Sequence, residues 1–373
     1  LTLLEGGIAA EMIELKESKV LAITYRDPNI ARFETIIEGV LYNCINYNML
    51  TGEIDENDLV LLNTTAVSLG LGSGGFHLVV ANLSRKGYLN IGEGHIMKLR
   101  YTPHQINIMT AEAQESPYHE IFRSSSSLDG MPVVIGSLHS MLAPAALALK
   151  YLTAKKNIAY IMTDGGALPI WLSDTVRKLS KNGVIAGTIT YGNAFGGDIE
   201  CINVYTALIA ASKIMKADAA IICMGPGIAG TDTVYGYSGI EESMIVDAVN
   251  RLRGKAVAIP RVSFADKRER HYGLSHHSRT TLGSLCFTRA AVALPKLQPY
   301  KAELLMRQLT ESGIQEKHDI SFWDIESLDK LFSEEQAYLE RMGIGYKEDM
   351  EYFQTCGASA FPASGAFSAD KLC

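Results

Sequence analysis

Ile158-Ala159-Tyr160-Ile161-Met162-Thr163 is an apolar run without alternation, and Asp164-Gly165-Gly166-Ala167-Leu168-Pro169 follows it directly. A run of this kind reads as a β-strand covered on both faces. The glycine-rich exit then leads into an amphipathic stretch at 170–181, which reads as a helix. The same unit recurs along the chain. Strands are expected at 132–136, 184–190, 219–224, 255–261 and 290–294, with a short last one at 318–323. Helices are expected between them at 141–154, 199–216, 239–252, 276–285 and 300–312. Alternating strands and helices imply a mostly parallel sheet with right-handed crossovers and helices on both sides.

The chain before residue 115 has a different character. Short strand patterns at 19–25, 34–40, 59–63, 76–82, 95–100 and 106–112 are separated by turn signals such as Asp27-Pro28-Asn29 and Thr51-Gly52-Glu53. The expected fold class is α/β in three parts. A small all-β barrel or sandwich spans 1–115. A doubly wound, Rossmann-like domain spans 116–330. A helical segment at 331–373 packs on that domain, with helical patterns at 334–342 and 347–355.

Composition narrows the function classes. Hydrophobic residues are 47% and charged residues 20%, as in a globular protein. The net charge of −7 demotes nucleic acid as a partner, since dedicated binders are usually basic. The short run Lys267, Arg268, Arg270 is broken by Glu269 and reads as a solvated loop. No apolar stretch has the length of a membrane helix, so no membrane partner is expected. The opening Leu1–Gly7 lacks the features of a secretory signal. Six separated cysteines without a CxxC pair fit buried thiols in a cytoplasmic protein. A homo-oligomer is compatible with this size, although no interface stripe is legible.

Glycine is enriched, at 33 of 373 residues, and it concentrates in the loops that follow the strands. Ligands of open parallel sheets bind outside the carboxyl ends of the strands. The exits hold Ser137 and His139; Asp164, Gly165 and Gly166; Asn193, Gly196, Gly197 and Asp198; Gly225, Gly227, Gly230 and Thr231; and Asp266, His271, His276 and His277. Small residues let backbone N–H groups approach an anion, and helix N-termini favour negative charge. The catalytic candidates are His139, Asp164 and His276, and the other exit residues are candidate ligand contacts.

Bland readings stand beside these. Asp198 reads equally as a helix N-cap. Ser238-Gly239-Ile240-Glu241 reads as a capping box that delays the helix after Gly225–Gly230, which weakens a dinucleotide reading of that G-x-G-x-x-G match. The turn Gly70-Leu71-Gly72-Ser73-Gly74-Gly75 leads into a strand and reads as a turn. Neighbouring His276 and His277 would point about 100° apart on a helix, so one face rarely takes both. No cofactor is identified, but a divalent metal held by Asp164 with His139, or with one histidine of the pair, is chemically sensible. The function expected is hydrolysis or group transfer on an anionic or phosphorylated small molecule. The alternatives are a non-catalytic sensing or scaffolding module and a nucleotide-dependent oxidoreductase.

Several blocks together carry a family resemblance. They are Leu62-Asn63-Thr64-Thr65-Ala66-Val67, Gly94-His95-Ile96-Met97-Lys98-Leu99-Arg100-Tyr101-Thr102-Pro103, Met162–Pro169, Phe195-Gly196-Gly197-Asp198, and Val262–Asp266 with Ser275-His276-His277. The chain resembles a bacterial family known as domain of unknown function 3866. The resemblance covers nearly the whole chain and implies a bacterial protein. It implies no activity.

Overall fold

The structure is a computed structural model. It describes residues 12–365 except 73, 86, 88–90, 154–156 and 167. The reading of the chain start at Leu1–Gly7, the tail after 365 and Cys373 lie outside the described residues. The chain divides into two compact units, one of residues 1–92 with 101–106, the other of residues 93–100 with 107–373.

The first unit is built on one curled six-stranded sheet, a half-barrel, in the order β1-β5-β6-β4-β3-β2. Its strands are β1 (Leu15–Lys19), β2 (Ala22–Arg26), β3 (Ile30–Ile37), β4 (Val40–Tyr47), β5 (Leu59–Asn63) and β6 (Phe76–Asn82). The expected strand at 34–40 is in fact the tip of the β3–β4 hairpin. Glu38 and Gly39 both take positive φ, 52° and 81°, as a two-residue hairpin turn requires. Glutamate carries no turn signal, so the pattern read straight through it. Phe33, Cys44, Val60, Leu62 and Val79 fill the concave core.

The second unit holds an eight-stranded parallel sheet. Its strands are β7 (Pro132–Gly136), β8 (Ile158–Thr163), β9 (Gly187–Tyr191), β10 (Ile199–Cys201), β11 (Ala219–Met224), β12 (Lys255–Ile259), β13 (Ala291–Pro295) and β14 (Asp319–Trp323). Their order in the sheet is β10-β9-β8-β11-β7-β12-β13-β14. Successive side chains of a strand point to opposite faces, and here both faces are covered. Tyr160 and Met162 join one apolar layer with the helices Leu142–Leu152 and Met350–Ala358. Ala159 and Ile161 join the other, with the helices Glu241–Arg251 and Pro299–Glu311. That double burial explains why these strands read as unbroken apolar runs. Among the described residues no helix is long and apolar enough to cross a membrane. Cys44, Cys201, Cys223, Cys286 and Cys356 are buried free thiols.

Four local expectations are corrected. The stretch 199–216 opens with strand β10, and its helix begins at Val204, capped by Asn203 through Tyr205 N and Thr206 N. Asp198 is therefore no N-cap; its carboxylate accepts from Thr188 N at 2.8 Å and Thr188 Oγ1 at 2.9 Å. Ser238 forms no capping box, because its Oγ accepts from Ala229 N at 3.0 Å and closes the glycine loop instead. The helix expected at 334–342 stops at Glu334. The chain then makes a small hairpin, Glu340–Arg341 with Ile344–Gly345, turning at Met342 and Gly343 with φ of 52° and 77°. Methionine at positive φ is again a turn that composition does not announce.

Candidate functional site

Strand order decides which exits meet. β11, β7 and β12 are neighbours at the centre of the sheet, and their carboxyl ends open onto one cavity of about 410 Å³. β7 supplies Leu138, His139 and Ser140; β11 supplies the loop Gly225–Gly230 and Asp232; β12 supplies Arg261, Arg268, Arg270, His271 and His277. The C-terminal hairpin adds Arg341 and Met342, beside Tyr338 and Glu340. Four arginines thus face the cavity against two acids, Asp232 and Glu340.

Two of these guanidinium groups are deeply buried. Arg261 and Arg341 are 7% and 6% exposed, and they are held by carboxylates behind the cavity wall. Asp266 accepts from Arg261 at 2.9 Å and from Arg268 at 2.8 Å. Asp349, fully buried, accepts from Arg341 at 2.6 Å and from Ser263 Oγ at 2.9 Å. The Arg268 hydrogen bonds hold the Asp266 carboxyl far below its ordinary range. Burial pushes Asp349 upward, against the pull of Arg341. The Nε of both Arg261 and Arg341 is buried without a hydrogen-bond partner. An unpaired donor on a charged group is costly to leave unmet.

The histidines are neutral by environment. Burial lowers His139 and His277 to about 4 and His271 to about 3, and lowers His276 as well. Neighbouring arginines add to the shift at the last three. His139 has both ring nitrogens engaged. Assigned from its partners, Nδ1–H donates to Met224 O at 3.3 Å, and Nε2 accepts from Ser173 Oγ at 2.7 Å. Ser173 in turn caps the helix Asp174–Lys181 through Val176 N. His139 therefore lines the cavity while tying β7, β11 and a helix start together, with neither nitrogen left over for a metal.

This arrangement predicts an acid-labile fold. The folded-state pKa of His139 lies below its ordinary 6.5, so the unfolded chain takes up the proton more readily. Its contribution is fully present above pH 6.5 and is lost as pH falls toward 4. The whole shift is worth about 3 kcal/mol, and screening at a half-buried ring leaves on the order of 2 kcal/mol. Urea unfolding at pH 7 and pH 4.5 should show a smaller loss in His139→Gln than in the wild type. Equal pH slopes in the two proteins would refute this.

The other predicted residues lie elsewhere. Asp164, Gly165 and Gly166 follow β8, and Asn193, Gly196, Gly197 and Asp198 follow β9; both strands stand on the far side of β11. None of these residues lines the cavity. Asp164 meets Asn193 Nδ2 at 3.4 Å, and its carboxylate fills the space a side chain at Gly192 (φ +68°) would need. Glu241, bonded to the Thr163 hydroxyl, joins this group, with burial pushing its carboxyl up to about 7. Gly196 N and Thr190 Oγ1 donate to Glu200, at 2.6 and 2.7 Å. Glu200 also pairs with the buried Lys98 at 2.6 Å. Gly197 N donates to Thr190 Oγ1 at 3.2 Å. The β9 loop is thus a brace around an ion pair. Gly166 packs so closely on Gly225 that a Cβ would lie 2.6 Å from its carbonyl oxygen. Ser137 is buried against Gly239, and the Thr231 hydroxyl donates to Gly236 O at 2.9 Å.

Sequence reasoning missed the arginines. Arg268 and Arg270 are exposed, as a solvated loop predicts, and their side chains also line the cavity. Arg261 had a legible signal, a cation at the end of an apolar strand run. Arg341 had none, since it sits in an expected helix. The family model described as Protein of unknown function (DUF3866) matches residues 43–360, most of the chain. No curated protein matches it.

Proposed function

The chain belongs to the family described as Protein of unknown function (DUF3866), and we propose that its α/β unit binds a small anionic, phosphorylated ligand in the arginine-lined cavity. The carrying observation is the convergence of four arginines on one cavity, the buried Arg261 and Arg341 beside Arg268 and Arg270. Arginine presents several donors in a fixed fork suited to phosphate oxygens. The Gly225–Gly230 loop adds backbone at three glycines to the cavity lining, beside Pro226 and Ile228. The sheet is Rossmann-like in this reading: the chain leaves β7 toward β8 on one side, and β12 to β14 build the other, so the cavity sits at the switch point where such folds hold ligands. Hydrolysis or group transfer suits the site, because guanidinium groups stabilise charge on a transferred phosphoryl group.

Titration calorimetry with pyrophosphate and a panel of phosphate esters tests this. Arg270 is exposed and pairs at the surface with the exposed Asp232, at 2.6 Å. Arg270→Gln should therefore leave stability within about 0.5 kcal/mol. It should weaken the anion by roughly ten- to a hundredfold, the loss of one charge-assisted hydrogen bond of about 1.5–3 kcal/mol. Absence of binding by every phosphate compound, or binding indifferent to Arg270→Gln and Arg268→Gln alike, would sink the proposal. Binding without turnover of any ester would mark the unit as a sensor rather than an enzyme.

A further inference from the structure

At the cavity wall three imidazoles converge, which the sequence placed in one strand exit without predicting that they meet. The ligand atoms of His271, His276 and His277 all lie within 4.8 Å of one another. Their ring centroids are 4.9, 5.1 and 4.2 Å apart. The cause is a tight local fold. Gly273–Leu274 pairs with Val262–Ser263, which returns the chain alongside β12's exit. Ser275 then caps a short helical turn through His277 N. Neighbouring rings that would diverge on a long helix are gathered here around the side chain of His271.

We propose that His271, His276 and His277 form a binding site for one borderline-soft divalent cation, zinc or a similar first-row metal. An all-imidazole donor set favours such ions over magnesium or calcium, which prefer oxygen. Three protein ligands leave the fourth position of a tetrahedral ion open, as in catalytic rather than structural zinc sites. His271 Nδ1 is hydrogen-bonded to Ser275 Oγ at 2.8 Å, which fixes the ring and leaves Nε2 as its donor atom. His276 Nε2 is buried without a hydrogen-bond partner. His277 is held flat on Tyr237, with ring centroids 3.9 Å apart. Ligand nitrogens around a tetrahedral zinc are about 3.4 Å apart, as bonds of 2.0–2.1 Å require, so the rings have to draw together by up to about 1.4 Å from separations within 4.8 Å.

The surrounding charge is net positive, with Arg279 also bearing on His276, so the ion would bind against four guanidinium groups that two aspartates offset only in part. Arg261, Arg268 and Arg270 bear on the cluster, while Asp266 holds the first two and Asp232 the third. His271 and His277 also line the cavity, so the open metal position faces the space where an anion would sit. Water on such an ion ionises near neutral pH. The inference stands on the imidazole cluster and does not depend on the anion reading.

Untagged protein, stripped with a chelator and transferred to a phosphate-free buffer, would be titrated with Zn²⁺ by calorimetry and with Co²⁺ by visible absorption. One ion per chain and a tetrahedral Co²⁺ spectrum are expected. His276→Gln and His277→Gln should each weaken the ion at least tenfold. His276→Gln should leave the melting temperature of the stripped protein unchanged, since its Nε2 has no partner to lose. Arg270→Gln should still bind one ion. No stoichiometric binding at about 100 μM ion, or binding that survives both histidine substitutions, overturns the proposal. Metal without pyrophosphate binding would defeat the anion reading alone; pyrophosphate without metal would defeat this one alone.

Discussion

Replacing Arg341 by methionine is expected to cost about 3–5 kcal/mol of unfolding free energy at pH 7. The reason is what it leaves behind. Asp349 is fully buried, and Ser263 would be its remaining side-chain donor among the described residues. A buried carboxylate without its cation must stay charged at high cost or take up a proton. The penalty therefore depends on pH. Burial already places the folded-state pKa of Asp349 above its ordinary 3.8, and losing Arg341 raises it further. The extra loss is present wherever the unfolded chain would ionise this group, and it shrinks as pH falls toward 4. A double variant, Arg341→Met with Asp349→Leu, should recover most of the stability, because replacing a whole buried pair is often neutral. Urea denaturation of the three proteins at pH 7 and pH 4.5 measures this. A single variant within about 1 kcal/mol of wild type at pH 7 would show that the pair carries little weight. Anion affinity should fall too, since Arg341 is part of the cavity wall.

Lys98→Met should cost a similar amount, about 3–5 kcal/mol, and for a related reason. Lys98 is 1% exposed, and its ammonium donates to Ala194 O and to Glu200 Oε2. Burial raises the Glu200 carboxyl, and Lys98 is the largest influence that pulls it back. Without the lysine, Glu200 would favour its protonated form, and the Ala194 carbonyl would lose its ammonium donor. The loop of Asn193, Gly196 and Gly197 is fastened to this pair, so hydrogen exchange should quicken there first. Lys98→Met is expected to lose more at pH 7 than at pH 5, and Lys98→Met with Glu200→Gln should be milder than the single change. Stability of the single variant that is insensitive to pH over that interval would contradict the argument. The residues most exposed to loss are ones that sequence reading assigned to ligand binding, which separates the brace from the site.

The central strands were legible because their physics is local. β7, β8 and β11 fall where their apolar runs begin and end, since burial on both faces excludes polar side chains and glycine marks each exit. Turns carried by Glu38 and Met342 were not legible, because a positive φ at such residues is imposed by the paired strands around them. The histidine trio escaped for the same kind of reason. Spacing along one helix puts neighbouring rings apart, while a two-residue strand pairing and a serine cap bring them together.

The sequence by itself determined the alternation of strand and helix, the glycine-rich exits, and the net negative charge. Each follows from side chains and their near neighbours. Only the tertiary structure decided which exits share a cavity. Inserting β11 between β8 and β7 carries Asp164 and the β9 loop away, and it joins His139, Gly225–Gly230 and Arg261. Arg341 reaches the same wall from near the other end of the chain. Strand order and the docking of the C-terminal hairpin depend on how distant apolar faces pack, and no local pattern encodes that choice.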